Sequence, residues 1–100
     1  MDKTQIRHID ISYNPRLTKK FYDALVKVMS DSFCMIERIE IEGNKVGDKT
    51  LQDLVRAIIY TQRLVYLNVS RNMIGDLGAR SLALLIQECP KLRLLFLNYN

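Results

Sequence analysis

The sequence is poor in the residue types from which metal sites, disulfide frameworks and catalytic triads are built. Its 100 residues include one histidine, two cysteines and no tryptophan. A single histidine leaves a histidine-ligated zinc site or a catalytic triad without partners. Cys34 and Cys89 are too few for a disulfide framework and are predicted to be buried free thiols. No glycine-rich phosphate loop or paired-carboxylate site is present either, so we expect no metal, no cofactor and no enzymatic activity.

Long apolar runs are absent as well. No stretch approaches the roughly 20 apolar residues of a membrane-spanning helix, and residues 1–5 contain no signal-like segment. The formal net charge is +4, but basic and acidic residues are interspersed, and the densest basic group, within residues 16–27, is interrupted by Asp23. This pattern is typical of a solvated helix face rather than a phosphate-binding stripe. We therefore expect a cytoplasmic, intracellular protein that binds neither membranes nor nucleic acid.

What the chain does contain is one nine-residue pattern in four copies, at residues 6–14, 36–44, 64–72 and 92–100. Each copy has aliphatic residues at its first, fourth and sixth positions and asparagine at its ninth. The spacings between the asparagines are 30, 28 and 28 residues (44−14, 72−44, 100−72). A fixed period of this length indicates a repeat architecture, in which each unit has room for one short strand and one helix. The asparagines are Asn14, Asn44, Asn72 and Asn100.

Alternation within each copy predicts a short strand with one buried face. Ile9 and Ile11 alternate with Asp10 and Ser12, which is the period of a half-buried strand. Parallel stacking of the repeats would align the aliphatic residues in interior columns that one repeat could not bury alone. The asparagines would form a further, structural column, because a side-chain amide can satisfy backbone groups in its own turn and in the neighbouring one.

Apolar residues at spacings of three and four predict a helix between successive strands. Asp48 and Asp76 are expected to N-cap the second and third helices, and Thr18 the first. Gly47 and Gly75 are expected to relieve backbone strain in the turns before the helices. The apolar stripe of the third helix is predicted to be Leu82, Leu85 and Ile86.

The third repeat carries a resemblance to a known family. Residues 64–82 read Leu-x-x-Leu-x-Val-x-x-Asn-x-Ile-Gly-Asp-x-Gly-Ala-x-x-Leu, which resembles the leucine-rich repeat of the ribonuclease-inhibitor-like subfamily. The resemblance implies an α/β solenoid shaped as a horseshoe, with a parallel β-sheet on the concave face and α-helices on the convex face. Such proteins are mostly intracellular and bind other proteins. The first repeat departs from the pattern because it lacks the Gly-Asp turn.

We interpret residues 1–100 as a single leucine-rich repeat domain. It holds three full repeats and a fourth strand, at about 6–35, 36–63, 64–91 and 92–100, and it is consistent with a fragment of a longer solenoid. The last strand has no helix after it in this sequence, and an unpaired apolar edge favours association. We therefore expect either further repeats or a second copy of the chain at the C-terminal edge.

The candidate binding residues are those at the outward-facing strand positions. A partner protein with a basic segment near Glu40 and an apolar anchor near Phe96 would fit them, because exposed aromatic and apolar groups are enriched at interface hot spots. The alternative is that Leu94 and Phe96 pack against a further repeat. Ser12, Ser70 and Asn98 are also expected at outward positions. The candidate residues are His8, Asp10, Arg38, Glu40, Glu42, Tyr66, Asn68, Leu94 and Phe96.

Three functions are compatible with the sequence. The first is a protein-interaction or scaffold module that works through the concave strand surface. The second is a regulatory, GTPase-activator-like piece of a larger catalytic assembly, for which Arg16 and Arg71 are the loop arginines that could complete a partner's site. The third is a structural module that self-associates through its open C-terminal strand.

Overall fold

The computed structural model describes residues 5–100, which form one parallel sheet and three helices. The sheet order is β1-β2-β3-β4, and each strand pairs in parallel with the next. The mixed α/β class and the parallel sheet predicted from the repeat are therefore confirmed. In chain order the elements are β1 His8–Asp10, α1 Lys19–Met29, β2 Arg38–Glu40, α2 Asp48–Thr61, β3 Tyr66–Asn68, α3 Asp76–Glu88 and β4 Leu94–Phe96.

The hydrophobic core lies between the sheet and the helices and is deepest in the two central repeats. Ile39 and Leu67, at the middle of β2 and β3, are 0% and 1% exposed. Their counterparts in the outer strands, Ile9 and Leu95, are only partly buried against the same core. This gradient follows from the architecture, because within residues 5–100 only the central repeats have a neighbour on each side. Cys34 and Cys89 are buried free thiols, as predicted.

A ladder of asparagine hydrogen bonds joins the repeats at the turns that follow the strands. Asn44 Oδ1 accepts a hydrogen bond from the backbone N–H of Asn14 at 2.7 Å. Asn72 Oδ1 accepts from the N–H of Asn44 at 3.0 Å, and Asn100 Oδ1 from that of Asn72 at 3.1 Å. Each side-chain amide donates in return to a backbone carbonyl, as Asn44 Nδ2 does to Ile11 O at 2.8 Å. The turns of adjacent repeats are thereby held in one register.

The helix starts differ from those predicted. Gly47 and Gly75 occupy the N-cap positions, and Asp48 and Asp76 are the first helical residues, so the prediction that the aspartates are caps was wrong. Asp48 Oδ1 accepts instead from the backbone N–H of Gly75, one repeat further on, at 2.7 Å. Both glycines have an extended backbone, so they relieve no left-handed strain. Thr18 does occupy the N-cap position of α1, although its side chain makes no capping hydrogen bond.

Left-handed backbone is found instead at the residue before each repeated asparagine. The φ angles are 59° at Tyr13, 72° at Gly43, 55° at Arg71 and 60° at Tyr99. A non-glycine residue in this region costs about 1 kcal/mol or more, so three of the four turns are held in place by their surroundings. This position is part of the repeat pattern, but only one of the four copies has a glycine there. The sequence therefore does not indicate its left-handed backbone.

The apolar stripe of α3 was predicted correctly at two positions of three. Leu82 and Leu85 are buried, whereas Ile86 is 60% exposed. The residue 28 positions earlier, Ile58 on α2, is 1% exposed because α2 packs against α3. Ile86 lies on the equivalent flank of α3, which has no helix beside it among the described residues.

Within residues 5–100, no helix is both long and apolar enough to cross a membrane.

Candidate protein-binding surface

The pleat of the strands places alternate side chains on the face of the sheet opposite the core. In every strand the middle residue contributes to the core, while the first and third are more exposed. The strand register aligns these outer residues in two rows across the sheet. We call this surface the open sheet face. Its residues are His8, Arg38, Tyr66 and Leu94 in the first row, and Asp10, Glu40, Asn68 and Phe96 in the second.

The β1–β2 half of the open sheet face is charged and internally paired. Glu40 Oε2 lies 2.6 Å from Nε2 of His8, and its Oε1 lies 3.3 Å from Nη2 of Arg38. The Glu40 side chain is only 15% exposed, so both of its oxygens are occupied by neighbours. Asp10 differs, because its carboxylate accepts from the backbone N–H of Ser12 at 3.0 Å, and this hydrogen bond lowers the pKa of Asp10.

The β3–β4 half is aromatic and apolar. The guanidinium carbon of Arg38 lies 4.0 Å from the centroid of the Tyr66 ring, which is within the range of a cation–π contact. The Tyr66 and Phe96 rings are 5.4 Å apart between centroids and tilted by 45°. Leu94 is 50% and Phe96 37% exposed. An unbroken series of side-chain contacts therefore runs from His8 on β1 to an exposed apolar group on β4.

The position of Leu94 and Phe96 bears on the alternative that they pack against a further repeat. They align with Tyr66 and Asn68 on the open sheet face. The core-facing residues of this last repeat are Leu92 and Leu95, which pack partly against the rest of the core. The exposed residue after the strand, Leu97 at 47%, occupies the repeat position that is buried in the two central repeats. Adjacent repeats also contact one another on the open sheet face, as Tyr66 and Phe96 do, so packing of Leu94 and Phe96 against a further repeat stays a prediction.

Glu42 lies beyond the end of β2 and is held by its neighbours. Its Oε1 accepts from Nδ2 of Asn68 at 3.2 Å, and its Oε2 lies 3.4 Å from Nε of Arg71. A hydrogen bond to Glu42 also raises the pKa of Tyr13. The Glu42 side chain is 23% exposed. Like Glu40, it already has polar partners within the chain.

Two serines expected to face outward do not. Ser12 Oγ accepts from the backbone N–H of Glu42 at 3.1 Å, and Ser70 Oγ accepts from that of Asn98 at 3.1 Å. Ser70 is only 4% exposed. The strands have ended at this position, so the hydroxyls point along the stack and join one repeat to the next. The outward assignment of Ser12 and Ser70 was wrong for this reason.

Three exposed side chains beside this surface were not assigned to it from the sequence. Tyr13, Arg71 and Tyr99 share the left-handed position before the repeated asparagines. The guanidinium carbon of Arg71 lies 4.3 Å from the centroid of the Tyr99 ring. Their common repeat position is the signal that could have found them. Arg16, the other loop arginine considered, lines a separate surface cavity of about 280 Å³ with Tyr13.

Most of the charged side chains of this surface are engaged with one another. Within residues 5–100, no group of three or more histidine, cysteine, aspartate or glutamate side chains is arranged to hold a metal ion. The carboxylates of Glu40 and Glu42 make hydrogen bonds and ion pairs to neighbouring side chains. What the surface offers to a ligand is an aromatic and aliphatic patch beside a set of preorganised charges.

Comparisons with known proteins agree with the repeat. The sequence model of the family described as "Leucine Rich repeat" matches residues 62–83. The solved structure described as "Leiomodin-1 Actin-Binding Site 2 (ABS2)" superposes with a TM-score of 0.82 at 12% identity, over 96% of this chain and 56% of that one. These matches support a protein of the leucine-rich repeat type.

A second solved structure has the same leucine-rich-repeat-like fold. It is the tropomodulin C-terminal domain of Caenorhabditis elegans, with a TM-score of 0.67 at 14% identity, over 98% of this chain and 77% of that one. The chain spans little more than half of the leiomodin-1 structure described above. A search of curated proteins finds no match.

Proposed function

We propose that this chain is a protein-interaction module that binds a segment of a partner protein across the open sheet face. The observation that carries the proposal is the contact series from His8 to Phe96, which presents exposed Leu94 and Phe96 beside side chains already fixed by their neighbours. A preorganised surface loses little conformational entropy on binding. Clustered aromatic and aliphatic groups provide the anchor that interface hot spots need.

The contacts refine the partner chemistry that the sequence suggested. A basic segment was expected near Glu40, but both oxygens of Glu40 are taken by His8 and Arg38. Asp10 is exposed, and within the described part of the chain no cation lies within ion-pair distance of its carboxylate. We therefore propose that a basic side chain of the partner pairs with Asp10, while an apolar side chain packs against Leu94 and Phe96.

The test compares two apolar double variants. Leu94→Ala with Phe96→Ala removes the proposed anchor, and we expect the affinity for the partner to fall at least about tenfold, because hot-spot truncation typically costs more than 1 kcal/mol. The matched control is Leu84→Ala with Ile86→Ala on α3, since these residues are 47% and 60% exposed but lie on a helix. The control variant should bind as tightly as the parent chain.

Actin is the first purified partner to test, because the leiomodin-1 structure that shares this fold is described as an actin-binding site. Binding is measured by fluorescence anisotropy of the labelled chain, and urea denaturation checks that every variant is folded. If actin does not bind, a partner obtained by affinity capture is purified and titrated in the same way. A partner whose affinity falls equally with both double variants, or only with the helix variant, contradicts the proposal.

Self-association is a second candidate function, favoured by the ends of the repeat stack. An entirely apolar cavity of about 300 Å³ opens between β1 and α1, and Leu97 is 47% exposed at the opposite end. These faces correspond to those that join the central repeats, so two copies could stack end to end. The cavity is lined by Ile6, Ile9, Phe21, Ala24, Leu25 and Val28.

Sedimentation equilibrium distinguishes the two candidates. End-to-end stacking predicts a mass that rises with concentration and returns to that of a monomer in Leu97→Glu, because a buried unpaired carboxylate is strongly unfavourable. The Leu94→Ala and Phe96→Ala double variant should still associate, since both residues lie on the open sheet face. A monomer at every concentration contradicts stacking.

The GTPase-activator-like alternative has less support, because Arg71 is already paired with Glu42 and stacked on Tyr99.

A further inference from the structure

A second polar site lies at the amino ends of the strands, on the edge of the sheet opposite the asparagine ladder. A small cavity of about 80 Å³ opens there between consecutive repeats. We call it the amino-edge pocket. It is lined by Arg7, Met35, Glu37, Arg63, Val65 and Lys91.

The repeat brings these side chains together. Arg7, Glu37 and Val65 share one repeat position, and Met35, Arg63 and Lys91 share another, two residues earlier in the pattern. Backbone hydrogen bonds hold the first set in register, with Val65 N–H donating to Glu37 O at 2.7 Å. Neighbouring strands in a sheet are about 4.8 Å apart. Side chains from three repeats therefore converge on one small volume.

The charge in the amino-edge pocket is unbalanced. Three cations, Arg7, Arg63 and Lys91, face one acid, Glu37, so the formal net charge of the lining is +2 (3 − 1). Glu37 is already engaged, because its Oε1 lies 3.2 Å from Nη1 of Arg7. Among the described residues, neither Arg63 nor Lys91 has a carboxylate within ion-pair distance. Two like charges of the described residues thus line the same cavity without an ion-pair partner.

Arg63, which lines this pocket, also carries one buried donor without an acceptor. Nε of Arg63 is shielded from solvent, and no hydrogen-bond acceptor reaches it in the described part of the chain. Leaving a buried donor of a charged group unsatisfied is unfavourable. An oxyanion in the pocket would neutralise the guanidinium group of Arg63 and the ammonium group of Lys91. The charge of the lining therefore calls for an anionic ligand.

We propose that the amino-edge pocket binds a phosphate group. A phosphate monoester carries a charge close to −2 at neutral pH, which matches the net charge of the lining. Arg63 would donate from its guanidinium group, Lys91 would supply a point charge, and Arg7 would remain paired with Glu37 and close the pocket from the β1 side. The small volume admits a phosphate group without the molecule that carries it. The source is either free phosphate or a phosphorylated side chain of a partner.

The test observes the side-chain Nε–Hε signals of arginine by NMR while inorganic phosphate is added at constant ionic strength. We expect a saturable shift of the Arg63 signal. In Lys91→Gln the dissociation constant should rise about tenfold, which corresponds to about 1.4 kcal/mol. The matched control is Arg80→Gln, which removes an exposed cation on α3 outside the pocket and should leave the titration unchanged. Lys91 is exposed, so its substitution should not unfold the chain.

Further titrations identify the source of the phosphate. A phosphoserine peptide that binds more tightly than inorganic phosphate points to a phosphorylated partner, and equal affinities point to free phosphate. The same peptide with glutamate in place of phosphoserine should bind much more weakly, because its carboxylate carries a single charge. Equal binding of the glutamate peptide would overturn the phosphate assignment. A non-saturating shift, or a saturable shift that Lys91→Gln leaves unchanged, would overturn the site itself.

Discussion

Replacing Asn72 by alanine is expected to lower the free energy of unfolding by about 3 kcal/mol. Asn72 Oδ1 accepts from the backbone N–H groups of Asn44 and Val46 at 3.0 and 2.9 Å, and its Nδ2 donates to Ile41 O at 2.9 Å. Each buried partner left unsatisfied costs about 1–3 kcal/mol. Because Asn72 is only partly buried, water can reach some of these groups, which keeps the total near the lower part of the summed range.

The measurement is urea denaturation, in which a lower midpoint at constant slope reports a loss of stability. Asn98→Ala is the matched control, because Asn98 lies in an equivalent turn but is exposed, and its loss should change stability by less than about 0.5 kcal/mol. Asn72→Asp should be intermediate, since it keeps the acceptor that serves Asn44 and Val46 but loses the amide donor. If Asn72→Ala and Asn98→Ala had the same cost, the ladder would not be what holds the repeats in register.

The sheet could be predicted from the sequence because its determinants recur. Every repeat has aliphatic residues at the first, fourth and sixth positions of the pattern and an asparagine three residues after the sixth. Only one register of the strands aligns these residues in interior columns. The observed pairing of Ile9 with Ile39 and of Leu67 with Leu95 is that register. A slip of one residue would turn these side chains out of the core.

The helix starts could not be predicted in the same way, because an aspartate there has two acceptable uses. The carboxylate of Asp48 could accept from its own first turn or from the next repeat, and it takes the N–H of Gly75 at 2.7 Å. Either arrangement places a negative charge near the helix N-terminus, where it is favourable. Local sequence does not distinguish them, since the choice depends on how closely α2 and α3 approach. The exposure of Ile86 has a similar origin, because it depends on whether another helix lies beside α3.

The candidate surface was predictable in its rows but not in its contacts. Strand periodicity assigns Glu40 and Tyr66 to the outer face, but the side-chain rotamers bring Glu40 to His8 and place Arg38 over Tyr66. A partner's basic group is therefore expected at Asp10 rather than at Glu40. Strand periodicity does not assign Tyr13 to this surface, because its ring is directed by a left-handed turn that follows the strand.

The open sheet face and the amino-edge pocket differ in how far their charges are paired within the chain, and this difference suggests different kinds of ligand. Glu40 lies between a histidine and an arginine on the open face, so its charge is largely compensated within the chain. Binding there should depend mainly on apolar contact, with a modest salt dependence from the single proposed ion pair at Asp10. The amino-edge pocket keeps uncompensated cations at Arg63 and Lys91, so its affinity should fall as ionic strength rises. The salt dependence of the binding affinity can therefore distinguish the two sites.

Gly78→Ala is expected to destabilise the chain by about 2 kcal/mol, although alanine is the better helix former. In an exposed helix interior this change would stabilise by about 0.5–1 kcal/mol. Here a Cβ atom would lie 2.6 Å from Cγ2 of Ile74, 2.6 Å from Oδ1 of Asp48 and 3.2 Å from Cδ2 of Leu51. Overpacking of this kind costs about 1–3 kcal/mol. Displacing the Asp48 carboxylate also weakens its hydrogen bond to the next repeat, so the packing penalty outweighs the gain in helix propensity.

Urea denaturation and a double-mutant cycle test this explanation. Ile74→Ala removes the methyl group that the new Cβ would meet, so the double variant should be less destabilised than the sum of the single variants by about 1 kcal/mol. Ser81→Ala on the same helix is the control, because Ser81 is half-buried and its hydroxyl donates to Leu77 O, one turn earlier, at 3.3 Å. It should change stability by less than about 0.5 kcal/mol. Additive costs for Gly78 and Ile74 would show that contact with Ile74 is not what excludes a side chain at position 78.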